Sequence, residues 1–519
     1  MTRQKSDRRI EPRVSRKAEE TAPVERERGG EATTVEQQTW QLGLRFETAE
    51  NPQGADGGAA SHRRVAATRA APKSKSKEKT TTSATMEEVT RRLAQAFQKV
   101  ASNQGAPGPD RQSIDEVRKH LDDVLPELAA ALLSGTYEPG NIRRVWIPKS
   151  NGGQRGLGIP NVVDRVAQEA VRQVLEPLYE PTFHASSHGF RPERSCHTAI
   201  AEARGYLDDG NEWVVDLDLE KFFDRVNHQR LMARLAQRVG DKRVLALIGK
   251  MLQAKVVMPD GVVVSTDEGV PQGGPLSPLL SNIVLDELDS ELERRGHRFV
   301  RYADDCNIYV RSERAGQRVM ASVVSFIERR LRLKVNANKS AVARPEERHF
   351  LGFRLRREPM DGEVEVLLSK RSKDRADTRV RELTPRTWGN SLQACILGLN
   401  AYLRGWLGFF GICTEGIETT LSNLDAHIRR RLRAIQIRHW KTKSTIARKL
   451  LALGASRKLA WRTPYAGRRS TWDLSLSSAI HRALRNAYFA ERGLYSLVDQ
   501  YRQRPKSFAA PVQLRLALG

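Results

Sequence analysis

In Arg298-Phe299-Val300-Arg301-Tyr302-Ala303-Asp304-Asp305-Cys306-Asn307-Ile308-Tyr309-Val310, two short apolar, β-prone runs flank a pair of adjacent aspartates. That pattern predicts a hairpin with both carboxylates at its turn. Alone it is weak, because aspartate is at home in turns, where it caps its own backbone. A second stretch, Trp213-Val214-Val215-Asp216-Leu217-Asp218-Leu219-Glu220-Lys221-Phe222-Phe223-Asp224, is again a hydrophobic strand interrupted by acids. In a strand, Asp216 and Asp218 project to the same face. Burying them is costly unless something cationic sits opposite; the alternative is an edge strand whose acids face solvent. A pair of Mg²⁺ ions would supply the charge, since magnesium takes carboxylates, waters and substrate phosphates as ligands. A hydroxyl attacking a nucleoside triphosphate needs one metal to lower its pKa and another to hold the departing pyrophosphate. One acid from the first strand and two from the hairpin turn are a sufficient set, provided the strands meet.

Composition points the same way. The chain has 519 residues, too many for one ordinary core, so two or three domains are expected. Its 87 Lys and Arg outnumber 62 Asp and Glu, a net charge of +25, with an isoelectric point near 10.2. Such a field draws polyanions, whose condensed counterions are released on binding, so nucleic acid is the first partner to consider. Solubility or an acidic membrane surface are the blander readings of the same charge. Four cysteines, Cys196, Cys306, Cys395 and Cys413, are scattered without a CxxC pair. That argues against a zinc site and a disulfide framework and for a reducing cytoplasm. The N-terminus lacks the apolar segment of a secretory signal, and no apolar run approaches bilayer length. A cytoplasmic protein with no membrane partner is the expectation.

Residues 1–85 are rich in Arg, Glu, Thr, Gly, Ala and Lys with little hydrophobic periodicity, and are read as a disordered basic tail. The small apolar island Thr39–Phe46 lies within it. From Met86 the texture changes: Val89, Leu93, Ala96 and Phe97 recur at helical spacing, and a Gly/Pro-rich turn follows at 105–110. A helix is predicted over 114–134, strand-like residues at 143–148, and a helix over 161–177. Helices and short strands then alternate to about residue 356. Beyond about 385 the strands thin out, and Ser391–Phe410, Ile417–Thr442 and Ser477–Ala490 read as basic amphipathic helices.

The residues also match a family. Tyr302-Ala303-Asp304-Asp305 resembles the signature of reverse transcriptases, and Asp218 followed by Phe223 resembles their first palm motif. Between them, Gly269-Val270-Pro271-Gln272-Gly273-Gly274-Pro275-Leu276-Ser277-Pro278 resembles the Gly-rich motif that grips template and nucleotide. Further blocks fall in order around these: Ile147-Pro148-Lys149 with Gly153, Arg155 and 157–160; Ser187-His188-Gly189-Phe190-Arg191-Pro192 with Ser195 and His197; Leu333-Lys334-Val335-Asn336 with Lys339-Ser340; and the Phe350-Leu351-Gly352-Phe353 turn, similar to a primer grip. The segment Leu399–Trp406, Leu424-Asp425 and 428–433 resembles the thumb of group II intron maturases, which sets the chain apart from retrons and retroviruses. The resemblance covers about residues 86–495. It departs from the family in lacking a DNA-cleaving HNH domain with paired cysteines, which resembles the endonuclease-lacking group. Arg111 also stands where the Gly-Pro-Gly-X-Asp block usually continues with glycine.

This resemblance to bacterial group II intron-encoded reverse transcriptases implies an α+β fold. Right-hand fingers and palm with an antiparallel palm sheet would occupy 86–356, a connector 357–385, an all-α thumb/maturase domain 386–495, and a basic tail 496–519. It implies an RNA-directed DNA polymerase with two Mg²⁺ ions, joining dNTPs to a primer on an RNA template, in the bacterial cytosol or nucleoid. A maturase would also bind the intron RNA to assist splicing and insertion into target DNA. Asp218 and Asp304 would ligate the metals with help from the Leu219 carbonyl, and Asp305 would be a further ligand or a support. Lys149 and Arg155 would contact the triphosphate. Phe223 would stack under the deoxyribose, with Phe222 facing inward; the alternative is a core aromatic. Gln272 and Gly273 would let the backbone approach the nucleotide, as glycine lacks a clashing Cβ. Lys339 would protonate the pyrophosphate, or else be an ordinary exposed lysine. Arg404, Arg429, Arg430, Arg431 and Arg433 would touch RNA phosphates, while Trp406, Phe409, Phe410 and Trp440 mostly form core. Another bacterial reverse transcriptase, or a splicing factor on a decayed polymerase scaffold, are the competing readings.

Overall fold

The computed structural model describes residues 84–148, 153–360, 362–467 and 470–504. The expected tail up to residue 83, its apolar island, Lys149 and the last fifteen residues lie outside these. Ten strands occur among the described residues: β1 Ile142–Pro148, β2 Gln154–Ile159, β3 Trp213–Asp218, β4 Val256–Val257, β5 Val263–Val264, β6 Arg298–Tyr302, β7 Asp305–Val310, β8 Ala341–Ala343, β9 Phe353–Arg357 and β10 Val364–Leu368. They form a mixed sheet ordered β2-β1-β4-β5, an antiparallel sheet ordered β6-β7-β3-β8, and the β9–β10 hairpin. The remaining elements are helices, and the fold is α+β.

The β6-β7-β3-β8 sheet is where the architecture is decided, because both of its faces are covered. Strand alternation sends Val215, Leu217, Phe299, Cys306 and Ile308 to one face, where they join a core built with helices Leu93–Ser102, Val162–Tyr179 and Ser277–Arg294. Val214, Val300 and Tyr309 point the other way into a second core, shared with helix Cys196–Asp208 and the C-terminal helices. Asp216 and Asp218 share that second face with Val214, so its apolar half is covered and its acidic half is left for another purpose.

Local chemistry explains where the elements end. The 114–134 segment is broken into Ile114–Lys119 and Leu121–Ser134 at His120, whose φ of −115° and ψ of 24° are not helical. Ser113 opens the first piece with a capping box to Glu116, an arrangement worth about 1 kcal/mol. Arg111 adopts φ 61°, the left-handed conformation that glycine takes without penalty. The expected connector is not one: it holds β10, paired along its length with β9, and helix Lys370–Leu383. The expected C-terminal tail likewise begins as helix Leu497–Arg502, because buried Asp425 accepts hydrogen bonds from the amides of Leu497 and Val498. The single helix expected over Ser477–Ala490 is two, Ser478–Ala483 and Asn486–Ala490.

Candidate active site

The acids of the two strands meet. In the β3–β7 ladder Asp218 lies directly opposite Asp305, and Asp216 opposite Asn307, so these side chains share one face. Tyr302 pairs with Asp305 across the β6–β7 hairpin, leaving Ala303 and Asp304 as its two-residue turn, with Ala303 at φ 56°. Asp304 therefore projects beside the Asp218–Asp305 pair.

Negative charge is crowded here. Burial raises the pKa of Asp304, the charge of Asp218 adds to that, and Arg155 and Lys339 oppose it. Asp305 keeps part of its surface open to solvent, yet crowding by the surrounding protein, and then the charges of Asp304, Asp218 and Asp216, push its carboxyl up to about 7. Asp216 is neutralised locally, its Oδ2 accepting from Arg348 Nε at 2.8 Å and pairing with the guanidinium at 2.6 Å. The Lys339 ammonium donates to Asp218 at 2.9 Å. That contact is built by the chain: the Asp218 carbonyl accepts from the Asn336 amide at 2.8 Å, the Asp218 amide donates to Ser340 Oγ at 3.0 Å, and β8 then pairs with β3. Lys339 is thus no ordinary solvated lysine, although it remains exposed. Among the described residues no group of three or more His, Cys, Asp or Glu is closed around one point as a metal cage.

Beneath the turn, on the opposite face, lies a residue that sequence reasoning passed over. Arg301 is fully buried and donates to Asp289 Oδ1 at 2.7 Å and Oδ2 at 2.5 Å, to Asn282 Oδ1 at 3.1 Å, to Ser187 Oγ at 2.7 Å and to the Ala303 carbonyl at 2.9 Å. Asn282 in turn donates to the Gly189 carbonyl at 2.8 Å. A Cβ on Gly189 would run into the Ala303 amide, so the Ser187–Gly189 backbone is pressed directly under the acidic turn. The signal was present: alternation puts Arg301 on the same face as Phe299, and Asp289 sits among Leu285, Leu288 and Leu292 on the apolar side of its helix.

Residues 147–355 match the family model described as Reverse transcriptase (RNA-dependent DNA polymerase), and residues 373–452 match Group II intron, maturase-specific domain. Protein YkfC of Escherichia coli (strain K12) is 35% identical over 338 residues, covering 57% of this chain and 88% of that protein. The chain belongs to the group II intron reverse transcriptase/maturase family. Within it, the Group II intron-encoded protein LtrA of Lactococcus lactis subsp. cremoris is 39% identical over 196 residues, 37% of this chain and 32% of LtrA. The Putative COX1/OXI3 intron 2 protein of Saccharomyces cerevisiae is 28% identical over 387 residues, 63% of this chain and 44% of that protein. The family implies RNA-directed DNA polymerase activity with a divalent metal, and the maturase domain implies binding of intron RNA. Among the described residues, no helix is long and apolar enough to cross a membrane.

The other residues expected at a reverse transcriptase site are placed unevenly. Leu219 is buried at the end of β3, where it forms an isolated bridge with Val335. Phe222 is buried and Phe223 half-buried, in edge-on contact at 5.3 Å, and Lys221 before them takes φ 50°. Arg155 is exposed on β2 and near enough to Asp304 for its charge to oppose the upward shift of that carboxyl. The Gln272 carbonyl accepts from the Gly158 amide at 2.6 Å. Gly273 has φ 122°, and a Cβ there would lie 2.5 Å from the Gly158 carbonyl oxygen. Within this chain its glycine is therefore required by the protein backbone, before any nucleotide is considered.

The arginines of the maturase half need correction. Arg431 is buried and donates to Thr384 Oγ1 and to the Thr384 carbonyl at 2.5 Å each; Arg433 is buried and donates to the Leu484 carbonyl at 2.9 Å. Both hold helices together and neither faces outward. A helix of 23 residues turns its sides to every direction, so four arginines in one run cannot share a surface. Arg404 is exposed, Arg429 half-buried, and Arg430 stacks 3.7 Å over Trp472. Trp406, Phe409 and Trp440 are buried, as expected of core.

Proposed function

We propose that the chain is the RNA-directed DNA polymerase of a group II intron. It extends the 3′-hydroxyl of a DNA or RNA primer with dNTPs on an RNA template, and as maturase it binds the parent intron RNA to assist splicing and retrohoming into target DNA. The observation that carries the reading is the direct pairing of Asp218 with Asp305, beside Asp304 in the adjoining turn. In this reading β6-β7-β3-β8 is the palm, β1 and β2 belong to the fingers, and the C-terminal helices are the thumb. The donor set suits magnesium: clustered carboxylates whose pKa values are raised by burial, and then by one another's charge, favour a hard divalent cation over water alone. Asp218 and Asp304 would hold two Mg²⁺ ions, with Asp305 and the Leu219 carbonyl assisting. When bound, these ions activate the hydroxyl and carry the charge of the leaving pyrophosphate.

The chain's own groups do the remaining work. Arg155, with Lys149, neutralises the triphosphate. Phe223 supports the sugar ring and leaves no room for a 2′-hydroxyl, while Gln272 and Gly273 line the approach of base and template. Lys339, held on Asp218, delivers a proton to pyrophosphate. Retention of all three acids together with the maturase domain weighs against a non-catalytic splicing factor and against a retron or defence enzyme. The test is primer extension on poly(rA)/oligo(dT) with Mg²⁺: Asp304→Ala abolishes it and leaves intron RNA binding intact. Full activity in that variant would overturn the assignment.

A further inference from the structure

Helix Arg457–Tyr465 lies past the segment that matches the maturase domain, and it turns its aromatic residues outward. It buries Ala460 and Pro464, packs Leu459 half-buried against the core, and exposes its two aromatic residues, Trp461 at 40% and Tyr465 at 51%. Aromatic side chains of this size normally supply core area, and an exposed pair is a feature of surfaces that bind something. One helical turn apart, the two rings stack on each other with centroids 6.3 Å apart and planes 24° off parallel. The Lys443 ammonium, on the helix packed alongside, stands 5.5 Å from the Tyr465 ring centre.

The surroundings identify the partner's charge. Residues 441–470 contain nine Lys and Arg and no Asp or Glu. Of these, Arg457, Lys458 and Arg462 are exposed on the same short helix as the two rings. None of the salt bridges among the described residues involves a cation of this stretch. Unneutralised cations beside open aromatic faces match a strand whose phosphates meet the charges and whose unpaired bases stack on the rings. A duplex hides its base faces and would leave Trp461 and Tyr465 with nothing to stack against, and an apolar protein partner would leave the cations unused.

We infer that the Trp461–Tyr465 face is a stacking platform for an unpaired RNA strand, a second nucleic-acid contact apart from the acidic site. It rests on the maturase reading above for the choice of RNA over DNA. The platform reads no sequence, since every base offers a π-face.

The test uses the full chain and a short oligo(rU) carrying 5-iodouridine, which on irradiation forms adducts with aromatic side chains stacked on it. Peptide mapping is expected to find adducts on Trp461 or Tyr465, absent from a Trp461→Ala/Tyr465→Ala variant. Anisotropy of labelled oligo(rU) should show affinity falling at least about five-fold in that variant, with Trp461→Phe/Tyr465→Phe retaining it. Adducts only elsewhere, unchanged affinity in the alanine variant, competition by duplex RNA as strong as by the single strand, or a loss confined to oligo(dT) would each overturn the inference. So would a dimer of this chain that dissociates in the alanine variant without any RNA adduct. Absence of extension by the unsubstituted chain would count against the polymerase reading alone, because the adducts report on this face directly.

Discussion

Arg301→Met removes the buried guanidinium beneath the acidic turn while keeping most of its apolar stem. The substitution deletes five hydrogen bonds, two to Asp289 and one each to Asn282, Ser187 and the Ala303 carbonyl. It also leaves the Asp289 carboxylate fully buried with no counter-charge. Breaking a buried pair from one side costs about 3–5 kcal/mol. At about 2.1 cal/mol/K per residue of unfolding entropy, this corresponds to a drop in Tm of roughly 3–9 °C, depending on how much of the chain unfolds together. Activity should suffer for a separate reason: Ala303 holds φ 56°, which an alanine adopts at a penalty of about 1–2 kcal/mol, and Arg301 is a donor to its carbonyl. The double variant Arg301→Met/Asp289→Leu separates the two effects. Replacing both partners of a buried pair by apolar groups is often neutral for stability, so Tm should recover while primer extension stays low. Thermal melts and extension rates on the same preparations decide it. An Arg301→Met protein that melts and polymerises like the unsubstituted chain would refute the claim that this network holds the turn.

Three further outcomes follow from the geometry. Gly189→Ala forces a methyl into the Ala303 amide and should depress the extension rate with RNA binding unchanged, whereas Gly205→Ala, in a helix with nothing within 4 Å, should be neutral or stabilising by about 0.5–1 kcal/mol; equal activities would show that the turn does not depend on close backbone approach. Arg433→Ala should lower Tm and keep the salt slope of intron RNA binding, while charge reversal at Arg429 and Arg430 should lower that slope by about one per lost contact; the reverse result would return Arg433 to the surface. Asp305 in the metal-free fold titrates near 7, above its unfolded value, so the folded chain holds that proton more tightly than the unfolded one. Its contribution to stability is therefore complete below the ordinary carboxylate pKa near 4 and is lost as pH rises through about 7. Compared with Asp305→Asn, the metal-free protein should lose Tm between about pH 5 and about pH 8, and Mg²⁺ should restore it at the upper end; parallel melting profiles for the two proteins would remove Asp305 as the source.

The amino-acid sequence by itself determined the β-hairpin around Asp304–Asp305, the strand carrying Asp216 and Asp218, the helical C-terminal half, and the family to which those motifs belong. These are local properties: a period of two or 3.6 residues and the chemistry of a turn are written in neighbouring positions. Tertiary structure alone decided that Asp218 faces Asp305, that Lys339 reaches Asp218 from 121 residues away, and that Arg348 takes Asp216 from 132 residues away. It also sent Arg431 and Arg433 inward to backbone carbonyls and Trp461 and Tyr465 outward. The reason is that hydrophobicity and charge set only a preference for burial or exposure. A buried guanidinium is stable when the packing of other elements happens to supply acceptors, and an indole stays exposed when no element arrives to cover it.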